Sequence, residues 1–379
     1  MRIAFLAGHL SRRASGVRQM IEGLSGALAA RGADIRVFGI ADEAWGNGDS
    51  ETWQGAPAEV FQRYGPANLG FMPKLGAALA AYKPDIVHLH GIWMYSSAVA
   101  ASWAGRGING SGGKLVISPH GMLAPAALAY SPTAKRIIRA AWQNRAFARA
   151  AAYHATAAQE ESDTRAFLGD VDVEIVPNGV ADTAIARPEW SARQKRVVAI
   201  GRLHPVKGYD RLIQAWEQVG AVHPDWRLEI AGPDPDGYAA QLRTLAGQYG
   251  GGTVTISPPQ FGAARDALIA HSRLFALPSL TENFALTVPE ALVCATPVLA
   301  STGAPWQGLV AQECGWWVDP DPARLTDALL QAIAADAAGT LESMGAKGRE
   351  WALSEFGWDG IAARMEAFYE RVMRGERGA

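Results

Sequence analysis

The sequence predicts a two-domain α/β protein built on parallel sheets. Three observations carry this. Short apolar runs alternate with amphipathic helical stretches along nearly the whole chain, the pattern of βαβ units. The alternation pauses at a Pro- and Gly-containing turn near residue 178 and then restarts. At 379 residues the chain is long enough for two separate cores. A hydrophobic content of 49% with 19% charged residues describes a soluble globular protein, and a net charge of −2 demands no nucleic-acid partner. Two cysteines, Cys294 and Cys314, make no disulfide framework and suit a reducing compartment.

Arg2–Ala7 reads as a buried first strand, too short for a signal-peptide core. Residues 16–31 carry Val17, Met20, Ile21, Leu24 and Leu28 at helical spacing, and Gly32 stops that helix. Asp34–Gly39 is the second strand. The loop between them, at the carboxyl end of a parallel strand, is rich in cations and small residues and lacks the GxGxxG dinucleotide fingerprint. Residues 42–68 look irregular and read as an insertion. A helix over 75–82 and a strand over 85–90 follow, with His88 and His90 on one strand face. No third ligand stands nearby, so a metal pair is not favoured. Lys114–Ser118 is a strand ending in Pro119-His120-Gly121. There His120 is either a structural turn residue or a group placed for chemistry.

Residues 133–150 read as one long helix with Lys135, Arg136, Arg139, Arg145 and Arg149 along it. That is either a solvated face or a contact for an anionic membrane surface. Elements over 152–156, 158–168 and 174–176 complete the first sheet. The expected boundary follows at residues 181–182. Strands near 196–200, 227–231, 253–256, 274–277 and 297–300 alternate with helices in the second domain, and a last helix over 358–374 is free to pack back on the first. No apolar run reaches membrane-spanning length, so a cytoplasmic location is expected.

The most informative stretch is residues 278–292, PSLTENFALTVPEAL. Pro289 fits only the first turn of a helix, so the order is buried strand, acidic loop, helix start. Free N–H groups at such a start suit phosphate, and carboxylates accept from sugar hydroxyls. Glu282 and Glu290 stand eight positions apart, although Thr287-x-x-Glu290 also matches a capping box. A second cationic loop, residues 201–208 (GRLHPVKG), places Arg202 and Lys207 after another strand without forming a Walker A loop. The two Asp-Pro-Asp segments, 234–236 and 319–321, read as turns with capping aspartates.

Taken in order, Ser15-Gly16-Val17, His120-Gly121, Pro177-Asn178-Gly179-Val180, Gly201-Arg202 with Lys207-Gly208, and Glu282-x7-Glu290 resemble the family 4 retaining glycosyltransferases. Ser15 and Ala285 stand where glycine is usual. The resemblance implies the GT-B fold: Rossmann-like domains at 1–181 and 182–356, facing across a cleft that closes to exclude water, with residues 357–379 packing back on the first. It implies that Arg202 and Lys207 hold the donor diphosphate, that Glu290 binds ribose hydroxyls and Glu282 the transferred sugar, and that His120 lies near the sugar ring. Gly16 would let the first loop approach the phosphate, which the segment Asn283, Phe284, Ala285, Leu286 and Thr287 would cradle. The implied reaction moves a hexose from GDP-mannose or a UDP-sugar to a lipid-linked or oligosaccharide acceptor in surface polysaccharide synthesis, with no metal and no cofactor. The expected partners are therefore a nucleotide-sugar donor and a saccharide or lipid-linked acceptor, with the inner membrane face as a peripheral site. A sugar-nucleotide epimerase or hydrolase, or a non-catalytic nucleotide-sugar-binding subunit, are the alternatives.

Overall fold

A computed structural model describes residues 1–11, 14, 16–105 and 113–378. Ser15 lies outside the described residues. The chain divides into two compact units, Met1–Gly179 with Trp358–Ala379, and Val180–Gly357.

The first unit holds strands β1 (Arg2–His9), β2 (Asp34–Ala41), β3 (Ala58–Gln62), β4 (Ile86–His90), β5 (Lys114–Ser118), β6 (Ala150–Ala155) and β7 (Val173–Ile175). They form one sheet in the order β3-β2-β1-β4-β5-β6-β7, with every pair parallel. Helices on both faces explain why the central strands are continuous apolar runs rather than alternating ones. Ile3, Phe5, Val37 and Ile86 pack under the helix Gly16–Ala30 and the terminal helix Trp358–Arg374, while Leu6, Phe38 and Leu89 pack on the opposite face.

The second unit holds β8 (Gln194–Ile200), β9 (Arg227–Ala231), β10 (Val254–Ser257), β11 (Ser272–Leu277), β12 (Val298–Ser301) and β13 (Gly315–Val318). Their order is β10-β9-β8-β11-β12-β13, again all parallel. In each sheet the order reverses beside the first strand, between β1 and β4 and between β8 and β11. Loops leaving the carboxyl ends of those strands diverge and open a crevice, the place where open α/β sheets bind ligands.

Four expectations need correction. Residues 42–68 are not wholly irregular: β3 lies within them as an edge strand, hidden in sequence by its flanking Gly and Pro. The stretch 133–150 is not one regular helix. A π-helical turn, Arg139–Gln143, joins Pro132–Ile138 to Asn144–Arg149. The helix Tyr95–Ala104 was not expected, because its Ser- and Ala-rich sequence has little amphipathic contrast. Strand β13 was not expected either: it opens on Gly315, and Trp316, Trp317 and Val318 are only half-buried, so it does not read as a buried apolar run.

Candidate active site

Strands β8 and β11 are hydrogen-bonded neighbours, so the loops that follow them emerge side by side. Backbone ties the two loops together. The Leu280 N–H donates to the Val206 carbonyl at 2.8 Å, and the Glu282 N–H donates to the Gly303 carbonyl, beyond β12, at 2.8 Å. Gly208 has φ +66°, and any Cβ there would collide with the Pro278 carbonyl oxygen. Only glycine allows this approach.

The two loops bring Lys207 and Glu282 into direct contact. Lys207 Nζ lies 2.6 Å from Glu282 Oε1, and the Ser279 hydroxyl donates to the same oxygen at 2.7 Å. Both side chains stay partly accessible, at 23% and 12%. Beneath them Tyr209 is buried, its hydroxyl without a hydrogen-bond partner, and burial followed by the Glu282 charge raises its pKa. Arg202 leaves the same strand end but is exposed, with no hydrogen bond or ion pair among the described residues.

Glu290 is placed differently. It sits on the helix Thr287–Val293, 5% exposed, with Oε1 2.9 Å from Arg265 Nη1. Arg265, on the helix Gly262–Ala270, also donates to Asp266 at 2.8 Å. Burial alone lowers the Arg265 pKa, but the Glu290 and Asp266 carboxylates outweigh it and hold it above the ordinary value. The helix has Leu286 at its N-cap with no side-chain cap, so the Thr287 capping box does not form. Nothing in the sequence distinguished Arg265 from an ordinary helix arginine, because its partner lies 25 positions away.

Between the two glutamates the backbone turns sharply. Ala285 has φ +65°, the left-handed region where glycine is at ease. Phe284 anchors the turn: its ring packs edge-on against Trp306 at 5.2 Å, and its carbonyl accepts from Trp306 Nε1 at 2.5 Å. The N–H groups of Phe284, Ala285, Leu286 and Thr287 donate to no acceptor among the described residues. Four successive donors with no acceptor among the described residues, at a helix start in the same loop as Glu282, are suited to an anion. Asn283 is half-buried on the same turn.

In the first unit, Gly16 is the first residue of its helix, next to the carboxyl end of β1. His120 follows β5 in a left-handed turn, φ +53°, with Gly121 at +73°. Glu160, 3% exposed, fixes that turn: Oε1 accepts from the Gly121 N–H, and Oε2 accepts from the Thr156 N–H and hydroxyl, all at 2.8 Å. Burial pushes His120 down to about 4, with Glu160 opposing and His154 adding to the fall. His120 is therefore neutral near pH 7.

Behind it runs a directed hydrogen-bond chain. The Val176 carbonyl can only accept, so His154 Nε2 donates to it at 2.8 Å. His154 Nδ1 then accepts from the Ser118 hydroxyl at 2.6 Å, Ser118 Oγ accepts from His88 Nε2 at 2.6 Å, and His88 Nδ1 accepts from the Tyr369 hydroxyl at 2.6 Å. Both His88 nitrogens are thus engaged within the protein, which gives this histidine a structural role. The Asp-Pro-Asp segments also behave as turns: Asp234 accepts from the Ala239 N–H and Asp321 caps the helix Pro322–Ala337. Among the described residues no group of three or more His, Cys, Asp or Glu gathers as a metal site, and no helix is long and apolar enough to cross a membrane.

Comparison with known proteins agrees with this architecture. Residues 15–179 match the family model for a glycosyl transferase 4-like domain, and residues 181–351 match that for glycosyl transferases group 1. The MMP alpha-(1->4)-mannosyltransferase of Mycolicibacterium hassiacum is 30% identical over 52% of this chain and 48% of its own. The D-inositol 3-phosphate glycosyltransferase of Segniliparus rotundus is 26% identical over 96% and 86%. The GDP-mannose-dependent alpha-(1-6)-phosphatidylinositol monomannoside mannosyltransferase of Mycobacterium tuberculosis is 34% identical over 56% and 59%. This chain thus spans about half the length of the first of these relatives. Among solved structures, Anabaena Alr3699/HepE in complex with UDP and glucose superposes with a TM-score of 0.76 at 20% identity, over 98% of this chain and 99% of that one. With both family models in chain order, a fold shared with that structure and a lysine–glutamate pair at the switch point of the second sheet, the chain belongs to the family 4 glycosyltransferases of the GT-B fold.

Proposed function

We propose that the protein transfers a hexose from a nucleotide-diphosphate sugar, GDP-mannose or a UDP-sugar, to a lipid-linked or oligosaccharide acceptor in surface polysaccharide synthesis, with retention at the anomeric carbon. The single observation that carries this is the Lys207–Glu282 pair, whose glutamate shares a loop with four N–H groups that have no acceptor among the described residues. GDP-mannose is favoured by the GDP-mannose-dependent relative from Mycobacterium tuberculosis, and a UDP-sugar by the ligand of the Anabaena structure.

The residues divide the work as follows. Lys207 and Arg202 carry the positive charge that the leaving diphosphate needs, so no metal is called for, and the N–H groups of residues 284–287 add fixed dipoles. Such groups act on charge that grows in the transition state, so they raise the rate rather than merely the affinity. Glu282 accepts from hydroxyls of the transferred sugar and Glu290 from those of the ribose. Gly16 is assigned to backbone approach toward the phosphate, Asn283 to holding the turn, and His120 to a sugar hydroxyl. The acceptor oxygen forms the new bond to the anomeric carbon as the bond to the diphosphate oxygen breaks. The acceptor proton passes to that leaving oxygen, on the same face of the ring.

We further assign a cytoplasmic location, which the two free, buried cysteines favour, with peripheral attachment to the inner membrane face. Ile137 is 66% exposed and Tyr130 77% exposed, next to exposed Arg136, Arg139 and Arg145, a pairing suited to an anionic lipid surface. The test is product analysis with a panel of nucleotide sugars and polyprenol-linked or oligosaccharide acceptors. Acceptor-dependent glycoside formation is expected, lost in Glu282→Ala with folding intact. Release of free sugar regardless of acceptor, or full transfer by Glu282→Ala, would refute the reading.

A further inference from the structure

The proposed function leaves His90 without a task. It ends β4 at the switch point of the first sheet, 3% exposed. Its Nδ1 lies 3.2 Å from His120 Nε2, and the two ring planes are near-parallel, 9° apart, with centroids 5.4 Å apart, so the rings meet at their edges. Its other nitrogen, Nε2, is buried without a hydrogen-bond partner. Phe5 packs edge-on against the ring at 4.6 Å.

We infer that His90 is a positioning residue that fixes the tautomer of His120, so that His120 Nδ1–H is presented as a hydrogen-bond donor to a sugar hydroxyl oxygen. A neutral imidazole has one N–H and one bare nitrogen. If the His90 proton sat on Nε2, a buried donor would be left without an acceptor, an arrangement that is rarely tolerated. The proton therefore sits on Nδ1 and is donated to His120 Nε2. That nitrogen must then be bare, and the His120 proton is forced onto Nδ1, which makes no hydrogen bond among the described residues. His120 itself is only partly covered. The left-handed turn held by Glu160 sets where the ring lies, and His90 sets which nitrogen carries the proton. The resulting His120 is a neutral donor, able to orient a hydroxyl and unsuited to removing a proton through Nε2.

The sugar part of this inference rests on the proposed transfer reaction; the tautomer part does not. The first experiment is a long-range proton–nitrogen correlation spectrum of the full chain labelled with nitrogen-15 at histidine, without ligand, near pH 7, with His120 assigned by the His120→Gln variant. The expected spectrum shows His120 Nε2 bare and Nδ1 protonated. A protonated Nε2 overturns the inference whatever the enzyme transfers. The second arm compares His90→Asn, whose amide can donate from near the Nδ1 position, with His90→Gln and His90→Phe. Loss of one oriented hydrogen bond predicts a fall of about tenfold in kcat for Phe and Gln, with nucleoside diphosphate affinity unchanged. His90→Asn should recover most of the rate. Equal rates for Asn and Phe, or wild-type transfer by Phe, would overturn the role. If the variants do not fold, the wild-type spectrum still decides the tautomer.

Discussion

Replacing Arg265 with methionine probes how the buried Glu290 is held. Glu290 has 6% of its side chain exposed, and Arg265 Nη1 lies 2.9 Å from it with 21% exposed. Methionine keeps most of the aliphatic packing and removes the charge. Breaking a buried pair by deleting one partner costs about 3–5 kcal/mol. Partial exposure of Arg265 lowers that, so a loss of about 2–4 kcal/mol is expected from the second unit. The double variant Arg265→Met with Glu290→Gln removes the charge that was left behind. It should be more stable than the sum of the single effects by at least ~1 kcal/mol. Because a chain of two units need not unfold in one step, local stability is best read by hydrogen exchange at amides of the helices Gly262–Ala270 and Thr287–Val293. A single-variant cost below ~0.5 kcal/mol, or strict additivity in the cycle, would show that the pair does not secure Glu290.

Three other outcomes follow from the geometry. Ala285→Gly relieves a left-handed alanine and should raise the stability of the second unit by up to ~1 kcal/mol in chemical denaturation; a loss would mean that the turn is not strained. Gly208→Ala forces a Cβ onto the Pro278 carbonyl, so it should cost ~2 kcal/mol or more and separate the loops bearing Lys207 and Glu282; an unchanged denaturation midpoint would contradict the close approach. The first unit should lose stability as pH falls. Burial lowers His88, His90, His120 and His154 below 6.5, His120 to about 4; neighbouring histidines add to the fall at His88 and His90, while Glu160 opposes it at His120 and His154. The unfolded chain therefore binds more protons in that window. Stability is complete above about pH 6.5 and falls toward pH 4, with a slope of up to ~1.4 kcal/mol per pH unit for each histidine. A flat hydrogen-exchange profile for β4 and β5 between pH 7.5 and 5 would refute it.

The parallel α/β framework was readable because parallel strands covered on both faces are unbroken apolar runs, and because Gly and Pro punctuate them. Lys207 and Glu282 were readable as a pair of loops at strand ends, since chain order alone places them at carboxyl edges. Their contact was not, because it joins residues 75 positions apart and depends on β8 and β11 being neighbours. Shorter separations, of 25, 39 and 30 positions, likewise hid Arg265 behind Glu290, Glu160 behind Gly121 and His90 beside His120. Ala285 was conspicuous where glycine is usual, and its positive φ supplies the physical reason for glycine there. Edge strand β3 and the π turn at Arg139–Gln143 were lost for the opposite reason. Each depends on packing that short, mixed stretches do not encode as a period.

In the proposed function the second unit grips a diphosphate through Lys207, Arg202 and the N–H groups of residues 284–287. Isothermal titration of GDP, UDP and ADP into the wild-type chain and into Lys207→Met tests it most directly. At least one nucleotide should bind the wild type, with affinity falling about tenfold or more in the variant, since one charge-assisted hydrogen bond contributes roughly 1.5–3 kcal/mol. Equal affinity in both proteins, or no binding of any nucleoside diphosphate by the wild type, would contradict it.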